Sequence, residues 1–412
     1  MDVDVLVVGA GPAGSTAAHR LASQGHGVLV VEEHPSVGIP VQCAGLVSQR
    51  ALDLAGSTGM VRTAVRGATV FGPSLGSVSF KAPEPRAFVI DRAGLDLRLA
   101  DRAAKAGAEY RTSTRFDRLK GTEAGRSIVE LTGPDRQTLV VRARLVIGAD
   151  GVASAVARAF RLRRPVEILP AFEAEFPRSP GDPETVEVYL GRRLAPGLFG
   201  WWIPDGNGGA RVGVAVDADG TSAREYYDRL VVHLERRFGV RFASPTAFLV
   251  SGIPIGLVPK THGPGVLLVG DAAAQVKPLS GGGIFTGMRC AEIAATVAHD
   301  ALQRGDVGAG SLAEYERRWH AEFGEEFHRA LYLRRLFQRL DDADLDRLIA
   351  AIQGSELAST IVAFGDIDFP THVARQLLRQ SPSLVRLVPK ALGAWVSAGT
   401  GRVPDLEFER RK

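Results

Sequence analysis

The first thirty-two residues constrain this chain more than any other stretch. Asp4 to Val8 is a short apolar run that leads straight into Gly9-Ala10-Gly11-Pro12-Ala13-Gly14, after which small and apolar residues recur at helical spacing through Leu21. A second apolar run, Val28 to Val31, ends at Glu32. Strand, tight turn, helix and strand therefore close within roughly thirty residues, as a dinucleotide-binding βαβ unit requires. Gly9 permits the sharp turn and Gly11 lets the backbone approach a pyrophosphate. Gly14, next to Ala13, lets the helix pack close to the strand while its N-terminal amides face the anion. Glu32 is placed to accept a ribose hydroxyl, and a carboxylate there repels a 2′-phosphate, so the expected ligand is FAD or NAD before NADP.

Composition narrows the class. With 412 residues, 45% of them hydrophobic and 23% charged, the chain has the apolar material for two or three packed units. Its net charge of +4 is spread along the sequence and forms no basic stripe, which argues against a nucleic-acid partner. Cys43 and Cys290 are the only cysteines, too few for a disulfide framework or a thiolate-held cluster, so a reducing compartment is expected. The N-terminus lacks a basic signal region and no apolar stretch approaches the roughly 20 residues of a membrane span. The expected location is the cytoplasm, with peripheral contact at a membrane surface left open.

Two later motifs choose between the ligands. Leu145-Val146-Ile147-Gly148-Ala149-Asp150-Gly151 reads as a strand ending in Asp-Gly, and Val266-Leu267-Leu268-Val269-Gly270-Asp271 as another ending in Gly-Asp. The set resembles the FAD-binding fold of the para-hydroxybenzoate hydroxylase type. That resemblance implies an α/β protein: a Rossmann-like FAD-binding domain, an antiparallel β-sheet substrate domain and a C-terminal helical region. It also implies that the strand from Val266 returns to the first domain and that Asp271 accepts a hydrogen bond from the ribityl chain. Asp150 either reaches the cofactor or braces the glycine-rich turn. On the helix predicted after Asp91, Arg98 best matches an arginine or glutamine that touches the cofactor in these flavoproteins. The glycines 281 to 283 allow a backbone to lie against a flat ring, and a helix starting near Gly283 points its positive end there; in related flavoproteins the backbone matching Gly283 and Ile284 touches the flavin. The expected division is 1–61, 91–165 and 262–310 for FAD, 62–90 and 166–261 for substrate, and 311–412 helical. Tyr315, Trp319, Phe323 and Phe327, four apart, read as core.

Further segments resemble one family within that fold. Gly38-Ile39-Pro40-Val41-Gln42-Cys43-Ala44-Gly45 resembles the Pro-x-x-Cys-Gly/Ala segment that geranylgeranyl reductases carry beside the flavin, which implies that Cys43 and Ala44 border the ring. Phe199-Gly200-Trp201-Trp202-Ile203-Pro204 resembles that family's Tyr-x-Trp-x-Phe-Pro-Lys motif, although Asp205 stands where the motif has lysine. Strand alternation puts Phe199 and Trp201 on one face, suited to an apolar channel, and Trp202 on the other. The implied activity is an FAD-dependent reductase that saturates C=C bonds of a geranylgeranyl or polyprenyl lipid, with NAD(P)H, ferredoxin or a quinol as transient electron donor. An ordinary thiol is protonated at neutral pH, so Cys43 is a candidate catalytic acid; a steric or flavin-tuning role explains it equally well. The alternative is a flavin-dependent monooxygenase or halogenase, because Trp201 to Pro204 also resembles the halogenase Trp-x-Trp-x-Ile-Pro motif.

Overall fold

In the computed structural model, the described residues are 1–380 without 57, 75, 164, 166, 179, 218–219 and 354–356. The opening motif folds as its residue types demand. The strand Asp2–Val8 enters a turn at Gly9, the helix Pro12–Ser23 starts with proline at its first position, and the strand Val28–Val31 lies parallel to the first. These strands join an eight-stranded sheet in the order 262–263, 266–268, 138–148, 2–8, 28–31, 109–111, with a side ribbon of 115–123 and 126–132 paired onto the strand Thr138–Gly148. The distant strand Val266–Leu268 pairs in parallel with the end of Thr138–Gly148, so it does return to the first domain. The ends of the two central strands, Val5 to Val8 and Leu145 to Ile147, are continuous valine, leucine and isoleucine because both faces are buried there.

Two helices flank the fingerprint helix on one face of this sheet. Arg92–Lys105 is capped by Asp91, whose side chain accepts from the Gly94 amide, and Ile284–Arg304 starts at Gly283 without a side-chain cap. Small residues set the spacing: a Cβ at Gly287 or Gly270 would meet the Ala13 methyl at 3.7 or 3.0 Å. The aromatic series Tyr315, Trp319, Phe323 and Phe327 is buried in the same core.

The second layer is a seven-stranded sheet in the order 247–255, 167–176, 210–215, 199–204, 185–189, 67–71, 77–81. It is antiparallel except where Gly67–Phe71 runs parallel to Thr185–Tyr189. The helix Ala223–Phe238 covers one face, and Trp202 is wholly buried on that side against Phe238 and Phe242. The segment 62–90, expected within this sheet, divides: the strands Val61–Val65 and Ala87–Ile90 instead form a small sheet with Leu46–Val47, just after the Cys43 loop. The C-terminal region is helical, broken at the turn before Thr371, through Gln380; residues 381–412 lie outside the described residues. Among the described residues no helix is long and apolar enough to cross a membrane.

Candidate active site

The glycine turn is built against the strand next to it. Gly9 has φ +99°, and a Cβ there would stand 2.3 Å from the Ala149 carbonyl oxygen; one at Gly14 would stand 2.0 Å from the Gly9 carbonyl. At Gly11 a Cβ would meet nothing within 4 Å, so the turn is open on the side where the uncapped helix N-terminus presents its amides. Glu32 closes the turn from below, its carboxylate accepting from the Ala10 amide at 2.9 Å and from the His34 amide at 3.1 Å, with the His34 ring at 2.6 Å. Asp150 braces: one oxygen accepts from the Ser154 hydroxyl at 2.6 Å and the other from the Val156 amide at 3.0 Å, at the start of the short helix Ala155–Ala159.

Arg98 is exposed on the outer side of its helix. The arginine this helix buries is Arg92, in its first turn. It pairs closely with Asp96 through Nη1 and lies within electrostatic reach of Cys43 and Asp271, while its buried Nε has no hydrogen-bond acceptor. The resemblance to related flavoproteins singled out Arg98; the signal for Arg92 was its place directly after the Asp91 cap, at the start of the buried face. The Asp271 carboxyl stands beside Gly283, whose added Cβ would be 3.1 Å from it. Burial pushes Asp271 up to about 6 although Arg92 pulls it down. Ile284, half-buried, opens the helix behind it.

Cys43 is half-buried, and its Sγ accepts from the Gly45 amide at 3.4 Å. The loop is pinned from the second sheet: buried Arg211 donates to the Ala44 carbonyl at 2.5 Å and pairs with Glu175 at 3.1 Å. Trp201 borders an apolar cluster that Ala44 and Ile367 also border, and with Phe199 and Ile253 it borders a second one that contains Val276. Ile253 in turn lies where a Cβ on Gly281 would sit. The Cys43 loop and the glycine triplet thus converge on the Trp201 face of the sheet. Phe199 stacks edge-on with Trp201, at 6.2 Å between ring centres, and with Leu190, Leu198, Pro278, Leu279, Phe337 and the aliphatic flank of Arg334 it lines a cavity of about 190 Å³.

The turn 365–370, from which sequence reasoning drew no site role, closes the remaining side. Lys277, just before the triplet, donates to the Ile367 carbonyl at 2.7 Å and to Asp368 at 2.9 Å, both partners of that ion pair being buried. Arg50 holds Asp366 at 2.9 Å, and Glu326 accepts from the Thr371 amide at 3.0 Å.

Residues 2–323 match the FAD binding domain family. The digeranylgeranylglycerophospholipid reductase 2 of Methanothermobacter thermautotrophicus is 37% identical over 366 residues, which span 87% of this chain and 94% of that protein. The digeranylgeranylglycerophospholipid reductase of Methanocaldococcus jannaschii is 34% identical over 93% of this chain and 96% of its own length. Among solved structures, a geranylgeranyl bacteriochlorophyll reductase-like protein of Thermoplasma acidophilum superposes with a TM-score of 0.83, at 25% identity, over 96% of this chain and 99% of that one. The flavin-dependent halogenase CmlS shares the fold, with a TM-score of 0.67 at 21% identity over 97% of this chain and 78% of that one. With that family match and those relatives over most of its length, the chain belongs to the geranylgeranyl reductase family of FAD-binding flavoproteins.

Proposed function

We propose that this protein is an FAD-dependent reductase that saturates C=C bonds of a geranylgeranyl or polyprenyl lipid. Its own residues fit the cofactor. An unfilled turn at Gly11 under a free helix N-terminus suits a pyrophosphate, and the buried Nε–H of Arg92, left over from the Asp96 pair, suits a further acceptor. Gly9, Gly11, Ala13 and Gly14 would hold the pyrophosphate, Glu32 the ribose, Asp271 and Arg92 the ribityl side, and Cys43, Ala44, Gly283 and Ile284 the ring. Arg92 takes the place expected of Arg98, and Asp150 acts through the turn it braces. FAD, once reduced, supplies the hydride.

An isolated alkene accepts hydride poorly, so the protein has to contribute position and dryness. Phe199 and Trp201 hold the chain against the ring side, and the cavity lined by Leu190, Leu198, Leu279 and Phe337 keeps water from the reacting carbons. Cys43 is the thiol nearest that wall and gives its proton to the second carbon. Electrons enter by transient contact with NAD(P)H, ferredoxin or a quinol, and a lipid substrate brings the protein to a membrane surface peripherally.

One observation carries this reading: the cysteine loop and the glycine triplet converge on an aromatic face beside an apolar cavity. The test is anaerobic incubation of the dithionite-reduced holoprotein with lipids bearing geranylgeranyl chains. Product masses should rise by two per double bond. Products that appear only with oxygen and carry inserted oxygen or halogen contradict the proposal.

A further inference from the structure

The face of the second sheet that meets the Cys43 loop carries a buried carboxyl, Glu173, that the reaction outlined above does not use. Three neighbouring strands bring Glu173, Gly213 and Trp201 into one register row: Glu173 is opposite Gly213, and Gly213 is opposite Trp201. A Cβ at Gly213 would stand 2.4 Å from the indole ring, so the indole lies flat across the space that glycine leaves. Its Nε1 reaches the far strand and donates to Glu173 Oε2 at 2.7 Å. Glu173 is 2% exposed, and a carboxyl in that position is retained against its desolvation cost only with a partner.

We infer that Glu173 is a positioning residue that holds the Trp201 indole across Gly213, fixing the wall against which the lipid chain lies. The wall's role toward lipid rests on the function proposed above; the hold itself rests on the row of three residues. The charged groups acting on Glu173 are Arg211, on the glycine's strand, and Glu175, on its own. Burial outweighs Arg211 and pushes Glu173 up to about 7, with the indole hydrogen bond also pulling it down. Above that pH the carboxylate accepts a charge-assisted hydrogen bond; below it the neutral acid holds the ring less firmly.

The experiment follows the indole N–H resonances of the FAD-loaded protein between pH 5 and 9. There are four tryptophans, and Trp201→Phe assigns the signal. The Trp201 resonance should titrate with a midpoint near 7 and stop titrating in Glu173→Gln, which keeps an oxygen acceptor and the fold. For lipid turnover, Glu173→Leu should raise KM about tenfold, the scale of one lost charge-assisted hydrogen bond, with kcat within about twofold. Gly213→Ala, whose Cβ would take the space of the indole ring, should raise KM in the same direction. Glu173→Gln should flatten the pH dependence of KM. A Trp201 resonance that does not move with pH, or that still titrates in Glu173→Gln, overturns the assignment even if lipid is reduced normally. A resonance that titrates and is silenced by Glu173→Gln supports the hold even if the true substrate is not a prenyl lipid.

Discussion

Asp271 sets folding against binding. Its carboxyl is pushed from an ordinary 3.8 up to about 6 by burial, so the folded protein prefers it neutral. That preference costs no stability below the unfolded value and costs most above the folded one, by about 1–3 kcal/mol at pH 8. Asp271→Asn should therefore raise the Tm of the flavin-free protein at pH 8, with the gain fading toward pH 4, while FAD affinity falls at least tenfold. A lower Tm at pH 8, or unchanged affinity, contradicts its placement at the ribityl side. Arg92 and Arg98 give a paired comparison on one helix. Arg92→Met removes a buried guanidinium whose Nε–H is left over from the Asp96 pair and should weaken FAD binding by tenfold or more in a flavin-fluorescence titration. Arg98→Met, at an exposed position, should stay within about twofold. Sequence alone made Arg98 the better match because spacing along a helix does not say which turn is buried. Asp150 was ambiguous for a related reason: an Asp-Gly at a strand end serves a ligand or a local turn equally well, and the contacts its carboxylate makes are to Ser154 and Val156, at the start of the helix Ala155–Ala159.

At the scale of elements, the strand-turn-helix units were legible because each carries its own local signature: proline at the helix start, glycine at the turn, apolar runs in between. The fastening of the Cys43 loop was not legible. Arg211 is the single charged residue of the apolar strand Ala210–Ala215, and what it holds appears only once the sheet register places it under Ala44. Arg211→Met should free the loop: amide exchange over residues 38–45 should speed up at least tenfold, with lipid reduction falling further than FAD affinity. The row of Glu173, Gly213 and Trp201 was hidden for the same reason, since cross-strand neighbours are far apart in sequence. That Trp201 and Trp202 face opposite sides of the sheet could be read from their alternation; the carboxyl that meets the Trp201 indole could not.

Across the whole molecule, the site is closed by segments from both ends of the described chain. The helix Gln49–Ala55, which follows the Cys43 loop, and Lys277, ahead of the triplet, are tied to the turn 365–370 by the ion pairs Arg50–Asp366 and Lys277–Asp368, and Ile367 and Trp201 border the same apolar cluster. Removing one partner of a buried pair leaves the other charge stranded, at about 3 kcal/mol or more. Asp368→Ala should thus unlatch the helices 357–364 and 371–380 ahead of global unfolding, seen as early loss of exchange protection there while the eight-stranded sheet stays protected. Simultaneous loss in both regions would show that the turn is no separate latch. The central claim is that the flavin ring lies between the Cys43 loop and the glycine triplet, facing the cavity beside Phe199. A crystal structure of the holoprotein with an unreactive prenyl-lipid analogue tests it most directly. The account predicts ring density within van der Waals contact of both Cys43 and Gly283, with the lipid chain against Trp201 and Phe199; a ring away from either loop, or a chain that never enters that cavity, would contradict it.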